Sequence, residues 1–321
     1  MSKVLLEVEN LKTYFPVKEG VFKKTAGYVH AVDDISFRVN EQETFALVGE
    51  SGCGKSTTGR SILRIIEPTA GRVTFGGQDV LKLSGEEMRK KRKDMQLIFQ
   101  NPYSSLNPRM TVKKLLEEPL KTHFKMAQGE LDDQVFWIAD KVGISKDQLE
   151  RYPHQFSGGQ RQRISIARAI ISKPKFVVAD EPVSALDVSI QSQILNLLIE
   201  LQKDLKLTYI FISHDLNVVR HISNSVAVMY LGRIVETGLT EEIFENPMHP
   251  YTQALLSAVP SKDPLNKKNR IILKGDVPSP VNPPEGCALY ARCSNAMDVC
   301  KEKRPVLKNM GDMHQAACHL Y

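Results

Sequence analysis

The sequence predicts an α/β fold with a phosphate-loop core: a mostly parallel sheet, an antiparallel β subdomain, an inserted α-helical subdomain and a small irregular cysteine-bearing C-terminal tail. Three observations predict it. Gly49-Glu50-Ser51-Gly52-Cys53-Gly54-Lys55-Ser56 matches G-x-x-x-x-G-K-[ST] without departure, and Thr57 follows in a helical stretch, with a short apolar strand (44–48) in front. Phe176-Val177-Val178-Ala179 and Tyr209-Ile210-Phe211-Ile212 are continuous apolar runs that end in polar residues, the mark of strands buried on both faces of a parallel sheet. Between loop and strands, residues 111–152 set Leu115, Leu116, Ile138 and Val142 at helical spacing.

In chain order, Val4 to Val8 alternates like a strand, and a Gly- and Lys-containing stretch, 16–27, reads as a long hairpin or loop before strand character returns at 29–39. Tyr14 and Phe15, with Tyr28 a weaker third, are either a platform on which an adenine stacks or ordinary strand-end aromatics. Residues 71–77 read as a strand and turn, and a helix begins near Ser84, whose solvated end is the basic run Arg89-Lys90-Lys91-Arg92-Lys93. Met95–Gln100 is a buried strand ending in a polar residue, followed by an exposed Pro/Asn/Ser turn, 101–108. Phe136 and Trp137 are read as core. A helix is expected over about 189–205, and Val226–Tyr230 with Arg233–Glu236 forms a hairpin around Leu231-Gly232. Past Gly238 prolines crowd a region of weak periodicity. The expected divisions are 1–236 (helical subdomain about 101–155), a connecting helical segment 237–260, and a tail 261–321.

Composition narrows the function. The chain has 321 residues, 42% hydrophobic and 25% charged, which suits a globular protein with a sizeable core and an appendage. No apolar run approaches the ~20 residues that span a bilayer. The N-terminal residues are too short and too acidic a stretch for a signal peptide, so a cytoplasmic location is expected. The net charge of +6 is modest and could reflect contact with anionic lipid heads, nucleic acid or nothing specific; no aromatics interleave the basic run to stack bases, and no nucleic acid partner is expected.

The chemistry follows from the loop. Its glycines let backbone N–H groups turn inward on phosphate oxygens, and the helix behind adds its partial positive charge. Lys55 would reach the β- and γ-phosphates, and the Ser56 hydroxyl would hold Mg2+. Asp180, at the end of an apolar strand, fits the Mg2+-holding acid of phosphate-loop enzymes. Glu181 beside it could polarise the attacking water. The substrate is a nucleoside triphosphate.

Ser157-Gly158-Gly159-Gln160-Arg161-Gln162-Arg163 resembles the signature motif of the ATP-binding-cassette ATPases, with Phe156 in place of the commoner leucine. Gln100 resembles that family's Q-loop glutamine, Ser184-Ala185-Leu186-Asp187 its D-loop and His214 its switch histidine. The resemblance implies ATP hydrolysis between two cassettes. Ser157 and Gly159 would donate to the γ-phosphate across the interface. Gln100 would sense Mg2+ and water, and His214 would contact the γ-phosphate. One copy of each motif then implies a dimer.

Asn101–Pro108, His249-Pro250-Tyr251-Thr252 and the tail cysteines resemble the ATPases of oligopeptide and dipeptide importers, a branch that includes nickel importers. The implied partners are a second, non-identical cassette subunit, two membrane permeases and an extracytoplasmic solute-binding protein, which places the chain at the cytoplasmic membrane face. Import of nickel or another small solute is an alternative. A soluble cassette ATPase of DNA repair or translation is a further one, against which stands the lack of a second cassette or long coiled-coil insert.

Four of the five cysteines fall in Cys287, Cys293, Cys300 and Cys318, spaced C-x5-C-x6-C-x17-C. The spacing lacks the C-x2-C pairs of zinc ribbons, and four thiolates are the usual complement of a [4Fe–4S] cluster. The resemblance implies the same cluster. Zn2+ is the rival and two disulfides a distant third. The tail is expected to need such a staple to fold. A change at Cys293 is expected to spare the ATP motifs.

Overall fold

The structure is a computed structural model and describes residues 3–20, 24–259, 270–311 and 313–321. The strands are β1 (Val4–Glu19), β2 (Lys24–Asn40), β3 (Thr44–Val48), β4 (Ala70–Phe75), β5 (Gln78–Asp79), β6 (Met95–Ile98), β7 (Phe176–Asp180), β8 (Thr208–Ile212), β9 (Ser225–Tyr230), β10 (Arg233–Leu239), β11 (Lys308–Gly311) and β12 (His314–Ala316). The helices are α1 (Lys55–Ile62), α2 (Gly85–Lys91), α3 (Pro102–Ser105), α4 (Val112–His123), α5 (Gln128–Lys141), α6 (Gly158–Ile170), α7 (Val188–Leu205), α8 (Leu216–Ile222), α9 (Thr240–Glu245), α10 (Pro250–Ser257) and α11 (Asp298–Glu302). The chain divides into two compact units, Met1–Leu5 with Asn40–Glu43 and Lys82–Ile212, and Leu6–Val39 with Thr44–Leu81 and Ser213–Tyr321. The α/β class is as predicted.

In the first unit β6, β7 and β8 lie in parallel register, with Ala179 level with Ile98 and Phe211. Every residue of β7 and β8 is buried, which is why both strands are apolar runs and not alternating ones. The helical insert is α3 to α5. The 101–108 turn contains a one-turn helix, α3, started by Asn101, whose side-chain oxygen accepts the Tyr103 N–H at 2.9 Å. Phe136 and Trp137 are only partly buried and do not belong to the core; Lys146 stands 4.6 Å over one ring and Lys173 4.7 Å over the other. The basic run ends α2, whose start carries the reciprocal Ser84–Glu87 capping box.

In the second unit β3 pairs in parallel with β9, and β9, β10, β12 and β11 continue antiparallel. The Leu231-Gly232 turn has positive φ at both residues, as a tight two-residue hairpin requires. A separate antiparallel sheet runs β2-β1-β4-β5. β1 is longer than its alternation predicts: a register shift between Glu9 and Lys12, with Asn10 at φ 48, absorbs the break in pattern and the strand goes on.

The tail borrows this unit's core. Glu236 of β10 faces Ala316 of β12, the His30 N–H donates to the Pro280 carbonyl at 2.9 Å, and Leu289 packs with Ala46, Val48, Tyr230 and Tyr251. Burying one leucine contributes about 2 kcal/mol, so the need for a staple is smaller than the tail's composition alone implies. Glu236 is fully buried, yet accepts from the Met248 and His249 N–H groups and from His314 Nε2, at 2.6, 3.0 and 2.7 Å.

His249 starts α10 by accepting the Tyr251 N–H on Nδ1, and burial lowers its pKa from 6.5 to about 4. The folded value lies below the unfolded one, so the stability is present above pH 6.5 and is lost as pH falls toward 4. The loss should be roughly 3 kcal/mol. His249→Asn keeps a capping atom, so its melting temperature should fall less steeply over that window. Glu236 and His314 remain in both proteins, which leaves His249 as the difference. Parallel melting curves would remove His249 as the titrating group.

Candidate functional site

The phosphate loop belongs to the second unit, between β3 and α1. Gly49 and Gly54 hold φ values of 148° and 106°. A Cβ on Gly49 would stand 2.2 Å from the Met229 carbonyl oxygen, and one on Gly54 2.0 Å from that of Ala31. Only glycine fits either position. Lys55 is buried, its ammonium donating to the Gly49 and Glu50 carbonyls at 2.9 and 3.0 Å, so the charge is already folded into the loop where phosphate oxygens could replace those carbonyls. Helix α1 begins without a side-chain cap, as a helix start that receives an anion does. Cys53 is buried, and burial raises its pKa, which suits a packing residue.

Of the aromatics, Tyr14 stacks on His30 with centroids 4.0 Å apart and donates its hydroxyl to Asp33, which also accepts from Arg233. One ring face and its hydroxyl are engaged. Phe15 and Tyr28 are exposed. His214 is exposed in the loop before α8.

The first unit carries the acids. Asp180 is buried at the end of β7. Glu181 has φ 46, an unfavourable value for a side-chain-bearing residue, held because its N–H donates to the Ile212 carbonyl at 3.0 Å. The Gln100 side-chain amide donates to Glu181 Oε2 at 2.9 Å, so the structure brings these two predicted residues together. Ser184 donates through its hydroxyl to the Glu181 carbonyl at 3.1 Å, and Asp187 stands at the start of α7. Ser157 caps α6: its hydroxyl accepts the Gln160 N–H while the Gln160 side chain accepts the Ser157 N–H. A Cβ on Gly159 would lie 2.6 Å from Ile190 Cγ2, so that glycine also lets α6 approach α7.

The four tail cysteines are free thiols. The Cys287 N–H donates to the Cys300 carbonyl at 2.7 Å. Burial pushes the Cys287 thiol up to about 11, with smaller contributions from the charges of Cys300, Cys318 and Cys293. Burial likewise raises Cys293 and Cys318. Thiolate donors suit soft metals. As placed, no three His, Cys, Asp or Glu side chains among the described residues form a group able to hold a metal ion.

Sequence reasoning missed Arg292 and missed a role for Tyr251, both of which contact the phosphate loop at Glu50. Neither has a local signal, because each lies some 200 or more residues along the chain from its partner.

Residues 32–184 match the family described as ABC transporter, and residues 235–300 match the oligopeptide/dipeptide transporter C-terminal region. The oligopeptide transport ATP-binding protein AppF of Bacillus subtilis is 51% identical, over 100% of this chain and 98% of its own length. The chain belongs to the ABC transporter family, among the ATP-binding subunits of its oligopeptide/dipeptide branch. It is an ATPase. The dipeptide transport ATP-binding protein DppF of Escherichia coli is 49% identical over 97% of this chain and 93% of its own. Among solved structures, the dimeric post-hydrolysis state of the ATP-binding cassette MJ0796 with ADP and Pi aligns with a TM-score of 0.66 and 26% identity, covering 74% of this chain and 99% of that one.

Proposed function

We propose that this chain powers the import of oligopeptides or dipeptides across a cell membrane, by closing on ATP against a second cassette subunit beneath two permeases fed by a solute-binding protein. The observation that carries this is the presence, in one chain, of an ABC cassette region and the oligopeptide/dipeptide C-terminal region, together with end-to-end similarity to subunits named for peptide transport. No helix among the described residues is long and apolar enough to cross a membrane, so the membrane path would belong to the permeases. The working divisions would be the cassette 1–236, the connecting segment 237–260 and the tail.

Loop amides and Lys55 would hold the triphosphate. Phe15 would stack on adenine, since Tyr14 is occupied by His30 and Asp33. The hydroxyl of Ser56 and the carboxylate of Asp180 are hard oxygen donors that suit Mg2+. The ion would neutralise charge on the β- and γ-phosphates. Glu181, aimed by Gln100, would take the proton of the attacking water, with His214 at the γ-phosphate. Ser157, Gly158, Gly159 and Gln160, at the start of α6, would serve the nucleotide of the partner cassette, with Asp187 at the interface.

Cys287, Cys293, Cys300 and Cys318 would hold a [4Fe–4S] cluster, with Zn2+ the rival occupant. The support is four free thiols, at the spacing read from the sequence, in a segment with few apolar residues of its own. The cluster would serve structure. Protein purified without oxygen should be brown with near-stoichiometric iron and sulfide; colourless protein with one zinc per chain would replace the cluster by zinc.

The permease should dock beside α3. Tyr103 is 63% exposed, whereas Ser105 is tied back to the Pro102 carbonyl, so Tyr103 is the better cross-linking position. A photo-cross-linker at Tyr103 in the assembled complex should capture a small, very apolar membrane protein. Adducts confined to the other cassette or to soluble proteins would remove the importer reading.

A further inference from the structure

Arg292, in the cysteine-bearing segment, grips the phosphate loop. Its Nη1 donates to Glu50 Oε2 at 3.0 Å and its Nη2 to Glu50 Oε1 at 3.4 Å, while Nη1 also donates to the Tyr230 hydroxyl at 3.3 Å. A two-pronged guanidinium–carboxylate pair fixes direction as well as distance. The Arg292 side chain is 9% exposed and that of Glu50 31%, so the pair is partly shielded from solvent, unlike a fully exposed surface ion pair. The Glu50 backbone is held as well, its N–H donating to the Tyr251 hydroxyl at 2.9 Å, and the Tyr230 and Tyr251 rings meet at 4.7 Å. Leu289, three residues before Arg292, is buried in the same core as Ala46 and Val48 of β3, the strand that delivers the loop. The turn that presents Arg292 is therefore anchored to the base of the loop it holds.

We propose that Arg292 is a positioning residue for the phosphate loop: by fixing the Glu50 carboxylate it keeps residues 49–55 in the curl that receives a triphosphate, and it makes the cysteine-bearing segment a determinant of nucleotide affinity. The proposal rests on the reading of that loop as the ATP site. Arg292 immediately precedes Cys293, and its turn is laced to the cysteines through the Tyr290 N–H, which donates to the Cys287 carbonyl at 3.0 Å. On this proposal a change at Cys293 should reach the ATP motifs through Arg292, where the sequence alone leads one to expect them spared. A single peptide bond separates Cys293 from a residue in contact with the loop.

The test uses the full chain and measures the Kd for ATP with Mg2+, kcat, the melting temperature and amide hydrogen exchange over residues 49–57. Arg292→Met should raise Kd about tenfold, the scale of a lost charge-assisted hydrogen bond. It should change kcat at saturating ATP far less, because the lost contact serves ground state and transition state alike. Arg292→Lys keeps the charge without the fork and should recover part of the affinity. Glu50→Gln with Arg292→Met should bind no worse than the weaker single variant, since both remove one interaction. A lower melting temperature with unchanged Kd in Arg292→Met would overturn the proposal, and so would additive losses in the double variant. Should Arg292→Met fail to fold, exchange in Arg292→Lys decides: faster exchange at 50–54 supports the proposal and an unchanged pattern overturns it. Lys55→Ala is the companion measurement. If it binds ATP like the parent, the ATP-site reading falls; if it loses ATP while Arg292→Met does not, only the role of Arg292 falls.

Discussion

Glu181→Gln should slow single-turnover ATP hydrolysis by about a hundred- to ten-thousand-fold, the range that a positioned general base contributes. The substitution keeps the shape and loses the charge that polarises water. The surroundings make it clean. The backbone conformation at φ 46 is held by the bond to the Ile212 carbonyl and by Ser184, contacts that do not involve the carboxylate. Gln100 donates to one carboxylate oxygen at 2.9 Å, and the amide oxygen of glutamine can accept that bond in its place. ATP affinity should therefore change only a few-fold, so that nucleotide accumulates unhydrolysed and, on the two-cassette reading, holds the pair of subunits together. Quench-flow on protein pre-loaded with ATP, with equilibrium binding on the same preparation, separates the two effects. Hydrolysis near the parent rate would take Glu181 out of the proton-transfer role.

What the sequence made legible was local. The apolar runs of β7 and β8, the helix start near Ser84 and the Leu231-Gly232 turn each carry their signal within a few neighbouring residues, and each forms as read. The phosphate loop is legible for the same reason, since its glycines and lysine are contiguous. Phe136 and Trp137 read as core because they are large aromatics within a helical stretch, whereas they are only partly buried and lysines from other elements stand over their rings. The tail was the hardest. Its proline content and weak periodicity gave no sign that β12 extends the sheet at β10 or that Leu289 enters a core made by β3 and β9. Pairings of that range depend on where the chain returns, which local pattern does not encode. The Arg292–Glu50 contact, 242 residues apart, is the extreme case.

Gly54→Ala should abolish measurable nucleotide binding, an affinity loss of about a hundredfold or more, whereas Gly52→Ala should be much milder. Both glycines have positive φ, 106° and 81°. For an alanine the left-handed region costs roughly 1–2 kcal/mol, so backbone strain alone does not separate them. Space does. Nothing lies within 4 Å of a Cβ built on Gly52, while one on Gly54 would be 2.0 Å from the Ala31 carbonyl oxygen and 3.6 Å from Gly232 Cα. Those neighbours cannot yield cheaply, because Gly232 donates its N–H to the Cys53 carbonyl at 2.9 Å and accepts the Asp33 N–H at 2.8 Å. The loop itself must move, and the Gly54 carbonyl, which accepts the Thr58 N–H in the first turn of α1, moves with it. The amides that curl around phosphate would then lose their common aim. Equilibrium binding and melting curves on the two variants test this. Parent-like ATP affinity in Gly54→Ala, with the fold intact, would mean that the loop accommodates the methyl group and that the close approach to Ala31 is not what shapes the site.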